Sequence, residues 1–160
     1  MKENKAIVDL IREIKKSLSV LEKIDSFYED FKQNEFPRTG KNRIAAIVMA
    51  EILADYYTCV ETLFFRISQF FENSLPKDKW HSELLHKMTL EIEDIRRPVI
   101  TDKTYGILLE FMKFRHFKRY YFEFDYDWDK LDYLEKKYSE LKGLLKNDLN
   151  YFLGFLKKIV

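Results

Sequence analysis

The chain has 160 residues but only one cysteine, three prolines and four glycines. A single cysteine excludes an internal disulfide and is typical of a reducing compartment. Because Cys59 lies in an apolar run, we expect it to be a small core residue. The scarcity of glycine and proline argues against flexible linkers and against a glycine-rich loop that cradles nucleotide phosphates.

The chain also has no marked excess of positive or negative charge and no long apolar run. The 28 Lys and Arg residues face 27 Asp and Glu, a net charge of +1, so any contact with nucleic acid has to be local. The longest apolar run, residues 44–50, is far shorter than the ~20 residues that span a bilayer. We therefore expect a cytoplasmic protein that does not enter the membrane.

Apolar residues recur with the three- and four-residue spacing of amphipathic helices along most of the chain. This spacing predicts helices over residues 5–32, 43–73, 80–91 and 101–122, and from residue 127 almost to the end. Breaks are predicted around Pro37, Gly40, Pro76 and Pro98. We predict that Thr101 and Asp127 are N-caps and that residues 122–127 form an ordered loop.

Four long helical patterns with short connections predict an all-α fold. We expect an antiparallel bundle of four long helices with one short inserted helix. A content of 46% hydrophobic and 16% aromatic residues is enough for one core, and the length is short for two. Residues 1–160 are therefore predicted to form a single domain.

The most informative segment, residues 112–122, combines four cations, one histidine and five aromatic rings. Arg and Lys can hold a phosphate, His moves protons near neutral pH, and aromatic rings stack on bases, so this composition indicates an RNA cleft. A simpler alternative treats five of its side chains as ordinary core or solvated residues: Phe114, Phe117 and Tyr121 in the core, Lys113 and Lys118 in solvent.

Arg115 does not fit that alternative. On a helical wheel it shares one narrow sector with Arg119 and with four apolar residues, Leu108, Phe111, Met112 and Phe122. A guanidinium on an apolar stripe needs an anionic partner or an opening to water. Arg115 is therefore the leading candidate for a functional residue.

The second long helix carries three polar residues at predicted interior positions, Asp55, Glu61 and Arg66. A buried carboxylate there is either a structural partner of Arg115 or Arg66, or part of a site. Both alternatives stay open for Asp55 and Glu61.

The spacing of histidines disfavours a metal. His81 and His86 are five residues apart and diverge by about 140° on one helix, whereas ligands on a shared face are three or four apart. We interpret both as surface histidines and predict neither a metal nor a cofactor.

Several short motifs occur in a characteristic order. They are Asp55-Tyr56-Tyr57 followed by Glu61, then Leu75-Pro76 leading to Trp80-His81-x-Glu83-Leu84-Leu85, then Arg97-Pro98-Val99-Ile100, and Phe114-Arg115-His116 with Arg119. Together they cover roughly residues 43–155, and in this order the chain resembles the HepT-like branch of the HEPN superfamily. Members are all-α ribonuclease toxins that pair with a minimal nucleotidyltransferase antitoxin.

The resemblance implies a metal-independent endoribonuclease, in which an arginine holds the scissile phosphate and a histidine moves protons as the RNA 2′-hydroxyl attacks. The family motif is Arg, four to six residues, His, one residue, and Tyr. Counted from Arg115, Tyr120 takes the histidine position and Phe122 the tyrosine position. A phenol keeps its proton at neutral pH, and His116 lies one turn earlier, about 40° away on the wheel, so we expect weakened activity.

The resemblance also implies partners and a modification. We expect a homodimer with an RNA cleft where the two Arg115-bearing helices meet, lined by Arg119, Lys118 and Lys113. In the family the antitoxin attaches AMP to the motif tyrosine, and since Phe122 has no hydroxyl, Tyr120 and Tyr121 are the candidate acceptors. The alternative is a catalytically inactive binding module or an antitoxin-like partner subunit.

Overall fold

A computed structural model gives the structure of residues 1–72, 80–121 and 124–160. Over these residues the elements are α1 (Lys2–Asp30), a π-helical turn (Phe31–Glu35), α2 (Phe36–Thr39), α3 (Arg43–Phe71), α4 (Trp80–Lys87), α5 (Asp102–Tyr121) and α6 (Trp128–Lys158). None of the elements in these ranges is a β-strand. The predicted all-α bundle is confirmed, with four long helices and α4 as the short inserted one.

Helix α3 is the central element, because it contacts α1, α4, α5 and α6. Its first turn is capped by Asn42, whose side-chain oxygen accepts a hydrogen bond from the Ala45 amide at 2.8 Å. Apolar residues occur on most of its faces, and Leu53, Val60 and Phe64 are almost wholly buried. A helix that is apolar nearly all round belongs in the middle of a bundle. Polar residues that face inward on it are therefore removed from water.

The first helical segment extends further than predicted. The predicted end near residue 32 and the predicted break at Pro37 are wrong, because a π-helical turn and then α2 continue the helical path to Thr39. The predicted break at Gly40 is confirmed. Pro37 lies in the first turn of α2, the part of a helix that best tolerates its missing N–H. Gly40, with φ of 63°, ends the path in a backbone conformation that favours glycine.

Helix α4 is shorter than predicted, since it ends at Lys87 and not at residue 91. The buried Arg96 guanidinium donates hydrogen bonds to the carbonyl oxygens of Lys87 at 3.0 Å and Leu90 at 2.8 Å. It also forms an ion pair with Glu72 beyond the end of α3. A distant arginine thus satisfies carbonyls that a longer helix would have used itself.

Both predicted N-caps are confirmed. The Thr101 hydroxyl accepts from the Thr104 amide at 3.3 Å at the start of α5, and Asp127 accepts from the Asp129 amide at 2.9 Å at the start of α6. Residues 124–127 have no regular secondary structure, as expected for the predicted loop. Residues 122–123 of that loop lie outside the described residues, as does the predicted break at Pro76.

Cys59 is half-buried on α3 and packs against the core. Burial raises the pKa of its thiol to about 11, only partly offset by the nearby charge of Arg66. In the part of the chain that the structure describes, no helix is both long and apolar enough to cross a membrane.

Candidate functional site

Arg115 lies on the inner side of α5 and is 7% exposed. One terminal nitrogen lies 2.9 Å from Glu61 Oε1, and the other donates to Glu61 Oε2 at 2.9 Å. The guanidinium also lies 4.7 Å above the ring of Tyr57. The two-pronged ion pair and the aromatic floor compensate most of the cost of burying the guanidinium, and its buried Nε has no hydrogen-bond partner among the described residues. The predicted need for an anionic partner is thus met by Glu61 on α3.

Glu61 is the centre of a small buried network. Besides Arg115, its Oε2 accepts a hydrogen bond from the Tyr57 hydroxyl at 3.1 Å and lies 2.9 Å from Nδ1 of His81. Burial raises the pKa of Tyr57 strongly and the charge of Glu61 raises it further, while Arg115 opposes both. Tyr57 is therefore a fixed hydrogen-bond donor at neutral pH and not a proton carrier.

His81 is the residue that the sequence prediction missed. It was interpreted as a surface histidine, but Nδ1 contacts Glu61 and lies 3.3 Å from a terminal nitrogen of Arg115. The ring packs against Trp80, with centroids 3.7 Å apart and planes tilted by 31°, and Trp80 packs against Phe65 of α3. Spacing along one helix could not reveal this, because the partners of His81 come from α3 and α5.

An open pocket of about 490 Å³ lies at this place. That volume is in the range of small-molecule sites. Its walls come from the start of α4 and the second half of α5, and the lining residues are His81, Ser82, Met112, Lys113, Arg115, His116, Arg119 and Tyr120. Among the described lining residues there are three cations and two histidines and no carboxylate. Such a pocket suits an anion.

Five of the predicted site residues line this pocket: Arg115, His116, Tyr120, Arg119 and Lys113. His116 is exposed, and its ring lies 4.5 Å from that of Tyr120, one turn further along α5. Tyr120 itself is 65% exposed. The helical arrangement thus brings together most of the side chains that were selected from residues 112–122.

Three other candidates lie elsewhere. Lys118 contacts Glu51 of α3 at 2.6 Å and is not among the lining residues. Asp55 lines a different, mostly apolar cavity beside Glu51. Tyr121 is exposed and stacks on Phe117, with ring centroids 5.1 Å apart.

Two predicted interior positions are wrong. Asp55 and Arg66 are exposed on α3, and Arg66 pairs with Glu13 of α1 instead of with a site residue. Partial burial and the adjacent Glu51 nevertheless raise the pKa of Asp55. Of the three polar residues, only Glu61 is buried against Arg115.

The apolar stripe on α5 is also placed differently from the prediction. Leu108 and Phe111 share the sector of Arg115 on the helix that is predicted to meet its copy in a homodimer, but both are 0% exposed within the single chain. Met112 is half-buried at the pocket, and Phe122 lies outside the described residues. Leu108 and Phe111 therefore cannot form an interface, so an interface on α5 would need other residues.

The fold and the pocket define a class: an all-α bundle that presents a cationic, histidine-containing pocket beside a buried Arg–Glu pair. A family model described as HepT-like protein matches residues 48–156. The chain therefore belongs to the HepT-like family of HEPN proteins. No curated protein and no solved structure matches it significantly.

Proposed function

We propose that this protein is the HepT-like component of a nucleotidyltransferase/HEPN toxin–antitoxin system and that it binds RNA in the cytoplasm. The observation that carries the proposal is the pocket that holds Arg115, Arg119 and Lys113 without a lining carboxylate among the described residues. RNA phosphates are the anions that such a combination of arginine, lysine and nearby tyrosine suits best.

Arg115 keeps donors for a phosphate even while Glu61 holds it. A guanidinium has five N–H groups, and the paired carboxylate takes one from each terminal nitrogen. The second hydrogen of one terminal nitrogen makes only a long contact with the Thr58 hydroxyl, at 3.4 Å, and the other terminal nitrogen lies 3.3 Å from Nδ1 of His81 at the pocket wall. These two long contacts are the ones that a phosphate would replace. Arg119 and Lys113 would add the exposed charges that attract the backbone.

Metal-independent cleavage of RNA is the proposed reaction, at a reduced rate. The family motif needs a proton carrier at the position of Tyr120, and a phenol is a poor one near neutral pH. His116 is beside it but exposed, with no hydrogen-bond partner among the described residues to fix its ring. A mobile imidazole contributes less than a positioned one.

We further propose a homodimer through the end of α5, which would place two pockets in one cleft. Three exposed aromatic residues support this, Phe117, Tyr120 and Tyr121, with Phe124 just beyond the helix. Aromatic side chains that a monomer leaves in water are typical of interfaces. In the single chain, Tyr120 and Tyr121 are exposed, and their hydroxyls are the ones that a nucleotidyltransferase partner would modify with AMP before the homodimer forms.

A second candidate is an inactive binding module, and one observation favours it. Both terminal nitrogens of Arg115 are engaged by Glu61, an arrangement that also serves structure alone. Such a protein would bind RNA or the nucleotidyltransferase without cleaving anything.

The deciding experiment measures binding and cleavage separately. Purified protein is incubated with total RNA and with tRNA in EDTA, which silences contaminating metal-dependent nucleases, and binding is followed by fluorescence anisotropy. The variant Lys113→Ala/Arg119→Ala should lose binding, whereas Lys15→Ala/Lys16→Ala, on the exposed face of α1, should not. Equal binding by all three proteins contradicts the proposal, and binding without cleavage selects the inactive module.

A further inference from the structure

We infer that His81, and not His116 or Tyr120, is the general base of this protein, taking the proton from the RNA 2′-hydroxyl during cleavage. The inference rests on the proposed function and deepens it. It assigns the missing proton carrier to α4, outside the helix that bears the family motif.

The contact with Glu61 fixes the tautomer of His81. Nδ1 lies 2.9 Å from Glu61 Oε2, which can only accept, and 3.3 Å from an Arg115 nitrogen, which can only donate. The shorter contact to the carboxylate is the stronger one, so we assign the hydrogen to Nδ1. In the neutral imidazole the lone pair is then on Nε2, on the side of the ring turned away from Glu61. Among the described residues Nε2 has no hydrogen-bond partner, and the side chain, 36% exposed, lines the pocket.

The surroundings hold the ring in place. Close packing against Trp80, with the two ring planes 31° apart, restricts its plane, and the bond to Glu61 fixes its rotation. A carboxylate behind a histidine also stabilises the imidazolium that forms when the ring accepts a proton. His116 has no such support among the described residues, since its ring neighbour is the exposed Tyr120.

The position relative to Arg115 completes the argument. Nδ1 of His81 lies 3.3 Å from an Arg115 terminal nitrogen, so the imidazole stands beside the group that would hold the phosphate. A base has to be within hydrogen-bond reach of the attacking hydroxyl, which is on the ribose carbon next to the one that bears the phosphate ester. A ribose whose phosphate is bound at Arg115 would present its 2′-hydroxyl near Nε2.

The step balances without a metal or a redox partner. Nε2 takes the 2′-hydroxyl proton, the 2′-oxygen forms a bond to phosphorus, and the bond from phosphorus to the 5′-oxygen breaks. The departing 5′-oxygen takes a proton from water at the open mouth of the pocket, and His81 returns its own proton to water. The products are a 2′,3′-cyclic phosphate and a 5′-hydroxyl end.

His81→Gln tests the assignment, with His86→Gln as the matched control on the same helix. His86 is exposed and is absent from the pocket lining. On a labelled single-stranded oligoribonucleotide in EDTA, His81→Gln should lower the cleavage rate at least ~100-fold, the low end for a positioned base, while RNA affinity changes little. His86→Gln should cleave as the parent does.

Two further measurements separate a base from a structural residue. Imidazole added to His81→Ala should restore part of the cleavage rate, an effect that a packing role would not give. On a substrate whose 5′-oxygen is replaced by sulfur, the leaving group needs no proton, so an acid becomes dispensable and a base does not. His81→Gln should stay slow on it.

Each failure has its own signature. A parent that binds RNA without cleaving it overturns the role of His81 and leaves the proposed RNA binding intact. Unchanged cleavage by a folded His81→Gln, or recovery on the sulfur substrate, overturns the role while the ribonuclease stands. If His81→Gln does not fold, the test is made with His81→Ala, and a cleavage rate that imidazole does not restore overturns the role of His81 as the base. A parent that does not bind RNA removes the proposed function itself.

Discussion

Glu61 holds both terminal nitrogens of Arg115 at 2.9 Å each, and both side chains are more than nine-tenths removed from water. The pair joins α3 to α5 under the pocket floor. Breaking it leaves one charge buried without its partner, which costs much more than the pair itself contributes.

Removal of the cation should therefore destabilise the protein. Arg115→Met is expected to lower the free energy of unfolding by about 3 kcal/mol, the lower end for such a change because His81 still donates to Glu61. Urea denaturation measures it. Arg66→Met is the control, since its pair with Glu13 is exposed and should contribute no more than about 1 kcal/mol. Similar losses in both variants would mean that the buried pair has no special importance.

Salt should weaken RNA binding through Arg119. Each phosphate contact to a single strand adds roughly 0.7 to the slope of log affinity against log salt concentration. Arg119→Ala should reduce the measured slope by about that amount, because the residue lines the pocket and carries an exposed charge. Lys15→Ala, on α1, should leave the slope as in the parent. An unchanged slope in Arg119→Ala would place the RNA elsewhere.

Restoration of the motif should increase activity. Tyr120→His together with Phe122→Tyr is expected to raise RNA cleavage, or growth inhibition on expression, at least ~10-fold over the parent. The physical reason is that an imidazole exchanges protons near neutral pH and a phenol does not. Strong cleavage by the parent that His116→Ala abolishes would show instead that His116 is the working proton carrier.

The end of α5 should carry the dimer. We expect sedimentation at tens of micromolar to show a dimer, and Phe117→Asp/Tyr121→Asp to shift it to monomer, because charges on the stacked pair are costly to bury. Phe27→Asp changes an exposed aromatic residue of α1 and should stay dimeric. A parent that sediments as a monomer contradicts the proposal.

Cys59 should react slowly near neutral pH. Its pKa of about 11 lies above the ordinary 9.0, so the thiolate is scarce, and alkylation by iodoacetamide should accelerate as pH rises toward 11. The free energy of unfolding changes with pH in the opposite direction to the alkylation rate. The buried neutral thiol contributes its full stabilisation below pH 9.0, and this contribution is lost as pH rises toward 11. A rate that does not change with pH would contradict the assigned pKa.

The sequence was sufficient for the helices because their apolar spacing is a local property. It located the starts of α5 and α6 from single capping residues, Thr101 and Asp127. The end of α4 was misplaced, because Arg96, nine residues after Lys87, supplies the hydrogen bonds that stop it. Spacing within a helix contains no information about such a donor.

The site was partly predictable for the same reason. A helical wheel predicted that Arg115 lies on an apolar face and that Glu61 is a possible partner. Each of these predictions used the residue spacing within a single helix. His81 needed three helices to be positioned together, and the stripe on α5 needed knowledge of which helix covers Leu108 and Phe111. These are tertiary facts without a local signal.

The π-helical turn after α1 accommodates one residue more than a regular α-helical turn would. In an ordinary α-helix, residues five apart such as Phe31 and Phe36 would differ in direction by about 140°. The wider turn, in which the Phe36 amide donates to the Phe31 carbonyl, lets the two rings contact each other, and the Phe36 ring also contacts Trp128. Homologues with one residue fewer at this place can keep the same ring contacts with a regular α-turn. A single-residue gap in an alignment here would then mark a change of helical winding and not the loss of a contact.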